Sequence, residues 1–310
     1  MPVLFLHGAY DTTCETVNSR FAEPMRRDCT DLTEVVVKSG HWMAQEQPVA
    51  VNAALARWLA TKLPELLEFG MTFPVSEHTL KTGRHTTGYL ACGAEAAPLL
   101  IFCHGWPELS LSWRHQLPAM AALGFRCIAP DMRGYGRSST YARHEDFAQE
   151  LIVEDMLELL ASLGRDKAVW IGHDWGSPVV WNMAAHHPDK TAGVASLCVP
   201  YLASGFTLET VVPLVDRKVY PEAEFPAGQW DYQFFYEESF DKACTGLRGQ
   251  HPQRGEGAVP QGRSQGGGQA SRTASVRKNG GWFGGGGLPR RAARSRRHHR
   301  AGSWRPTPRR

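Results

Sequence analysis

Ile171-Gly172-His173-Asp174-Trp175-Gly176-Ser177 sits between an apolar run that reads as a strand, Ala168-Val169-Trp170-Ile171, and a segment that reads as a helix. Its Gly-x-x-x-Gly spacing is that of a sharp strand-to-helix turn with a nucleophile at its apex, where small flanking residues permit a strained backbone. The apical residue is Asp174 rather than a serine. A carboxylate is ionised at neutral pH, so it attacks an electrophilic carbon without a base first removing a proton. The covalent product is an ester of the protein's own carboxyl group. Water must then attack the carbonyl of that ester, a step that needs a general base and an oxyanion hole.

Strands and helices alternate on either side of this turn. Leu99-Leu100-Ile101-Phe102-Cys103 is an apolar run, and Phe125-Arg126-Cys127-Ile128-Ala129 ends at Pro130. A helix is expected from about His144 to Leu163, with Phe147, Leu151, Ile152, Asp155, Leu159 and Leu160 at mainly helical spacing. Ala192–Leu197, Val3–Leu6 and Glu34–Val37 read as further strands. From Pro48 to Leu67 the residues Val51, Leu55, Trp58, Leu59, Leu63 and Leu66 recur at helical spacing, with Pro48 suited to a first turn. Strands separated by helix-length segments imply right-handed crossovers and a mostly parallel sheet covered by helices, an α/β fold. His104-Gly105-Trp106-Pro107-Glu108 follows the strand at Leu99, at the same sheet edge as Asp174. The backbone N–H groups of Trp106 and Trp175 are therefore the candidate oxyanion donors.

Composition sets the frame for these motifs. A chain of 310 residues with 42% hydrophobic and 21% charged residues is an ordinary soluble mixture, long enough for one large domain or two small ones. Its net charge of +3 averages two unlike regions. Residues 245–310 hold fifteen Lys and Arg and a single acid, Glu256, so the residues before them are net acidic. The seven cysteines (Cys14, Cys29, Cys92, Cys103, Cys127, Cys198, Cys244) are scattered and form no Cys-x-x-Cys, which indicates neither a disulfide framework nor a zinc site. Met1–Gly8 has too short an apolar run and no basic lead to be read as a signal peptide. No apolar stretch approaches the roughly 20 residues that span a bilayer, so a cytoplasmic location and no membrane association are expected.

From about Met71 to Cys244 the chain resembles the soluble epoxide hydrolases of the α/β-hydrolase superfamily. His104-Gly105-Trp106-Pro107-Glu108, Asp131-Met132-Arg133-Gly134-Tyr135-Gly136-Arg137-Ser138 and Gly172-His173-Asp174-Trp175-Gly176 occur in the family's order. In that family the acid and the histidine of the triad follow the nucleophile, yet nothing after Asp174 matches them. They stand instead at the N-terminus. Leu4-Phe5-Leu6-His7-Gly8-Ala9-Tyr10-Asp11 resembles the strand and loop that carry the acid, and Val37-Lys38-Ser39-Gly40-His41-Trp42-Met43 resembles the loop that carries the histidine. The helix from Pro48 to Leu67 matches the family's closing helix. Residues 1–67 thus resemble the last part of an epoxide hydrolase and residues 74–200 its core, with 68–73 as a linker. Two origins fit this order: a circular permutation, or a joining of two truncated hydrolase copies.

Residues 201–244 are similar to part of the family's helical cap. Trp230-Asp231-Tyr232-Gln233-Phe234-Phe235 resembles the segment whose tyrosine donates a hydrogen bond to the epoxide oxygen, with Tyr232 at the matching position. A phenol stabilises a developing alkoxide without itself being ionised. The family's second cap tyrosine lies in a segment that is missing here. Residues 245–310, rich in Gly, Arg, Ser, Pro and Gln, bury too little apolar surface to order themselves and read as a disordered basic tail. Within it Arg272–Gly284 looks like a returning piece of cap sequence, a pattern that frameshifts in a GC-rich gene would produce. The basic run Arg290–Arg300 could meet phosphates, but no specific nucleic-acid partner is expected.

The resemblance implies an epoxide hydrolase that opens its substrate to a vicinal diol. Asp174 would be the nucleophile, His41 oriented by Asp11 would activate water, Tyr232 would support the leaving oxygen, and Trp106 and Trp175 would hold the oxyanion. The partners implied are a small epoxide and water, with a homodimer allowed and no cofactor or metal. The alternatives are a haloalkane dehalogenase on the same scaffold, or an inactive rearranged fragment.

Overall fold

A continuous apolar run is stable as a strand only where both of its faces are covered, and the runs that begin at Val3, Leu99, Ala168 and Thr191 all lie inside one sheet. The computed structural model describes residues 1–67, 73–243 and 270–279. Strands β1 (Val3–Gly8), β2 (Leu32–Val37), β3 (Ser76–Lys81), β4 (Thr86–Cys92), β5 (Leu99–Cys103), β6 (Arg126–Pro130), β7 (Ala168–His173) and β8 (Thr191–Leu197) form an eight-stranded sheet. Their order is β2-β1-β8-β7-β5-β6-β4-β3, and pairing is parallel from β2 to β6. Only β4 runs antiparallel, to β6 on one side and to β3 on the other. The strands of the N-terminal segment thus extend the sheet beyond β8, with Val3 level with Val194 and Leu6 level with Leu197.

Helices α1 (Glu23–Asp28), α2 (Met43–Glu46), α3 (Pro48–Lys62), α4 (Gln116–Ala121), α5 (Gln149–Ser162) and α6 (Gly176–His186) connect and cover the strands. The short helices α7 (Leu208–Val211) and α8 (Asp231–Glu238) lie within residues 201–244, the stretch expected to be a partial cap. Successive strand residues point to opposite faces, and β1 shows what this achieves. Leu4 and Leu6 join the layer beneath α3 and α4, whereas Val3 and Phe5 join the layer beneath α1, α5 and α6. No helix among the described residues is long and apolar enough to cross a membrane.

Several expectations change in detail. The helix from Pro48 stops at Lys62, and Pro64–Leu66 forms a 3-10 turn instead of a continuation to Leu67. Pro64 lacks an N–H, and its ring drives Leu63 out of the helical region to φ −138°. The helix expected from His144 is split in the same way, because extended Ala148 separates a 3-10 turn at His144–Phe147 from α5. Phe147 is left partly exposed, and the buried face of α5 is Val153, Met156, Leu159 and Leu160. Asp155 is buried beside them as an ion-pair partner, its two oxygens each 2.7 Å from the Arg133 guanidinium.

Residues 68–72 of the linker expected at 68–73, together with residues 244–269 and 280–310, which include most of the expected basic tail, lie outside the described residues. Residues 270–279, however, are folded against the cap rather than free. Ala274 and Val276 are buried in the core beside Trp230 and Tyr232. Arg277 donates through its backbone N–H and its Nε to the two oxygens of Asp231, at 2.9 and 2.5 Å.

Because β1 is part of the sheet, Phe5→Ala leaves a cavity in the core layer beneath α1, α5 and α6 and costs about 3–5 kcal/mol. Urea unfolding should then show a lower midpoint for the whole domain, and an unchanged midpoint would show that β1 lies outside the cooperative unit.

Candidate active site

Three connections leave the same end of the sheet and meet. β7 delivers Asp174 at the turn into α6, with φ +49°, a left-handed conformation that side chains larger than glycine seldom adopt. The turn closes only because its neighbours are small: a Cβ on Gly176 would overlap the Cys103 carbonyl, and one on Gly105 would overlap the Asp174 side chain. β1 delivers Asp11, and β2 delivers His41.

The structure brings Asp11, His41 and Asp174 into one hydrogen-bonded line. His41 Nδ1 is 2.8 Å from Asp11 Oδ2, and His41 Nε2 is 3.2 Å from Asp174 Oδ2. Asp11 Oδ1 accepts the backbone N–H groups of Thr13 and Cys14 at 2.9 Å each, so the acid is fixed from behind. The Trp106 N–H donates to Asp174 Oδ1 at 2.8 Å. Trp175 follows Asp174 directly and caps α6. Tyr232, on α8, is buried and lines a small cavity over the nucleophile together with Asp174, Trp175, Phe206, Trp230 and Cys14. The other five residues expected at the site are therefore gathered around Asp174.

Electrostatics in this pocket follow from burial and pairing. Burial works to lower the pKa of His41, but the Asp11 carboxylate and the hydrogen bonds to Asp11 and Asp174 outweigh it and hold the imidazole well above its ordinary value. Asp11 shows the converse: burial works to raise it, and His41 with the two backbone donors keeps it below the usual carboxylate value. Burial, followed by the charge of Asp174, pushes the Tyr232 phenol up, so it stays protonated and able to donate.

A second pair, to which the sequence reading gave no role, supports the first. His173, next to the nucleophile, donates from Nε2 to the His41 carbonyl at 2.8 Å, and its Nδ1 is 2.7 Å from Glu108 Oε2. Glu108 also accepts the Gly105 N–H at 3.1 Å and Gln45 Nε2 at 2.8 Å. One buried carboxylate thus ties together the loop that bears Trp106, the nucleophile turn and the histidine loop. The available signal was positional: Glu108 and His173 lie inside the two motifs that set the site, three residues after Gly105 and one before Asp174.

Residues 98–287 match the α/β-hydrolase fold family. The chain belongs to that family. Over 143 residues it is 41% identical to the bifunctional epoxide hydrolase 2 of Sus scrofa, a match covering 46% of this chain and 24% of that protein. Over 110 residues it is 48% identical to epoxide hydrolase A of Mycobacterium tuberculosis, covering 36% of this chain and 34% of that protein. The chain thus spans about a quarter to a third of the length of these curated relatives. Among solved structures, epoxide hydrolase A of Mycobacterium thermoresistibile aligns with a TM-score of 0.46 and 37% identity, over 54% of this chain and 50% of that one.

Within this α/β-hydrolase the Glu108–His173 pair makes a prediction about stability. Burial works to raise Glu108, but the His173 charge and hydrogen bond overcome it and bring the carboxyl to about 2, below its ordinary 4.5. Burial works to lower His173, and Glu108 outweighs this to hold it well above 6.5. The contribution of Glu108 is present above pH 4.5 and lost as pH falls toward about 2. That of His173 is full below pH 6.5 and lost as pH rises through its folded value. The pair therefore stabilises most between those limits, and Glu108→Gln should destabilise the fold there by about 3–5 kcal/mol. Urea unfolding of both proteins across pH checks this, and superimposable curves would contradict it.

Proposed function

We propose that this chain is an epoxide hydrolase working through an alkyl-enzyme ester on Asp174. The observation that carries the reading is the single imidazole of His41 set between Asp11 and Asp174, with a backbone N–H on the other nucleophile oxygen. Trp106 engages Oδ1, which leaves Oδ2 to attack a ring carbon of the epoxide. The carbon–oxygen bond of the three-membered ring breaks, and its electron pair goes to the ring oxygen, which takes a proton from Tyr232.

In the second half His41 removes a proton from water, and the resulting hydroxide adds to Cγ of the ester. The charge that develops on Oδ1 is held by the Trp106 and Trp175 N–H groups. Collapse breaks the bond between Cγ and the substrate-bound oxygen, and the leaving alkoxide takes the proton from His41 to give the vicinal diol. The remaining proton of the attacking water passes from the new carboxyl group to the Tyr232 phenolate, which regenerates the Asp174 carboxylate. Alkylation also switches on the base. An esterified Asp174 carries no charge, so one of the interactions that keeps His41 protonated is gone and its pKa falls. The imidazole therefore becomes a competent base after the ester has formed. Residues 1–67 supply the acid and base of this scheme from within the same chain. The supporting relatives are the named epoxide hydrolases of Sus scrofa and Mycobacterium tuberculosis.

Incubation of His41→Ala with an epoxide should trap the ester, seen by mass spectrometry as one added substrate mass on the peptide containing Asp174, while Asp174→Asn forms none. In the native chain, ester hydrolysis should accelerate as pH rises above the ordinary 6.5 of a histidine, because Asp11 still holds His41 above that value after Asp174 is esterified, and His41 acts as a base only once it has lost its proton. Halide release from haloalkanes without diol formation would replace this reading with a dehalogenase. No adduct on any variant would leave a scaffold without the activity.

A further inference from the structure

Two overlapping triplets of metal-ligand side chains share His41. Ligand atoms of Asp11, Cys14 and His41 all lie within 4.8 Å of one another, as do those of His41, His173 and Cys198, and all five residues are buried. The second triplet is occupied with structure: His173 Nε2 and Cys198 Sγ both donate to the His41 carbonyl, at 2.8 and 3.1 Å, and His173 pairs with Glu108. The first triplet stands differently. The Cys14 N–H donates to Asp11 Oδ1, which sets its side chain beside the carboxylate, and Cys14 also lines the cavity over Asp174.

Of the three, only Cys14 lines that cavity, and the Asp11 and His41 ligand atoms lie within 4.8 Å of its sulfur. A sulfur, a nitrogen and an oxygen grouped in this way suit a tetrahedral, borderline-soft cation. Asp11 Oδ2 and His41 Nδ1, 2.8 Å apart, are spaced so that a small outward shift admits bonds of about 2.0–2.2 Å to one ion. Burial keeps the Cys14 thiol protonated in the metal-free protein, since it raises that pKa well above 9.0. Binding must then expel the thiol proton and the Nδ1 proton to solvent, and affinity rises with pH.

We propose that Asp11, Cys14 and His41 bind one thiophilic divalent cation of the Zn2+ or Cd2+ type, and that the bound ion halts turnover by occupying the base. The effect on turnover rests on the epoxide hydrolase reading, whereas the binding does not. The ion replaces the proton that Asp11 and His41 share, so the imidazole loses its orientation toward water. The site is inhibitory and needs no change elsewhere in the fold.

The test is a Cd2+ titration of the full chain, read by the ultraviolet charge-transfer band of the Cd2+–thiolate bond. The band should saturate at one equivalent, weaken as the pH is made mildly acidic, and be displaced by Zn2+. Cys14→Ser, with Cys14→Ala as a second variant and near-ultraviolet circular dichroism as the check on folding, should lose affinity by more than the roughly 10–100-fold that removing an outer-shell partner costs. Cys198→Ala should keep the band. The proposal is overturned if the native chain shows no band at one equivalent, if the band survives in both Cys14 variants, or if only Cys198→Ala removes it. Zn2+ should also arrest epoxide turnover, with chelator restoring it. Binding without any epoxide turnover would sink the functional reading and leave the site standing, and turnover unaffected by saturating Zn2+ would sink the inhibitory role.

Discussion

Parallel pairing of β1 with β8 is the contact on which the rest of the structure depends. It places the strand that carries Asp11 beside the half of the sheet that carries Asp174, and β2, riding on β1, brings His41 with it. The register leaves little slack. Leu6 is level with Leu197, and Leu197 is level with His173, so the strand ends that launch the acid loop and the nucleophile turn finish together. A slip of one residue would send Phe5 and Leu4 to the wrong faces, and both are fully buried. Cys198, at φ +74°, locks the end of this seam: its N–H donates to the Leu6 carbonyl at 3.1 Å and its thiol to the His41 carbonyl.

Holding a nucleophile at a positive φ is unfavourable by about 1–3 kcal/mol, and burying a histidine among carboxylates adds a desolvation penalty. The site offsets both by leaving few polar atoms of the reacting groups without a partner. Asp11 takes two backbone donors besides His41, and Asp174 is held on both oxygens. The histidine is gripped twice, at its ring by Asp11 and at its carbonyl by His173 and Cys198. The ring contact with Asp11 both orients the imidazole and raises its pKa, whereas the carbonyl contacts fix the backbone of the loop that carries it.

Most of the central sheet was legible because its strands are short apolar runs closed by Gly or Pro, and the nucleophile turn was legible because a sharp turn demands small residues on both sides of Asp174. The hairpin of β3 and β4 was not. β3 is an edge strand with a mostly solvated face, so Ser76-Glu77-His78-Thr79-Leu80-Lys81 carries no apolar run to notice. The stops at Lys62 and Ala148 were blurred because apolar spacing persists past the residues where the backbone must turn. Glu108 and His173 could be quoted from their motifs but not given a role, since that role is a contact between residues 65 positions apart. Composition likewise hid residues 270–279, whose order comes from what they touch.

Those touches reach back to the site. Tyr220 donates its hydroxyl to the Thr12 carbonyl at 3.0 Å, one residue beyond Asp11, and accepts the Ser271 N–H at 3.1 Å. One phenol therefore joins the acid loop, the cap and the returning segment. Arg277 then clamps Asp231 in the first turn of α8, and Tyr232 is the next residue. The segment thus braces two groups at once: the loop that holds the acid and the helix that aims the phenol. Its composition resembles an unstructured tail, but its contacts make it part of the wall between cap and core. The position of Tyr232 over Asp174 is consequently a property of three separated stretches of chain, and α8 alone would not set it.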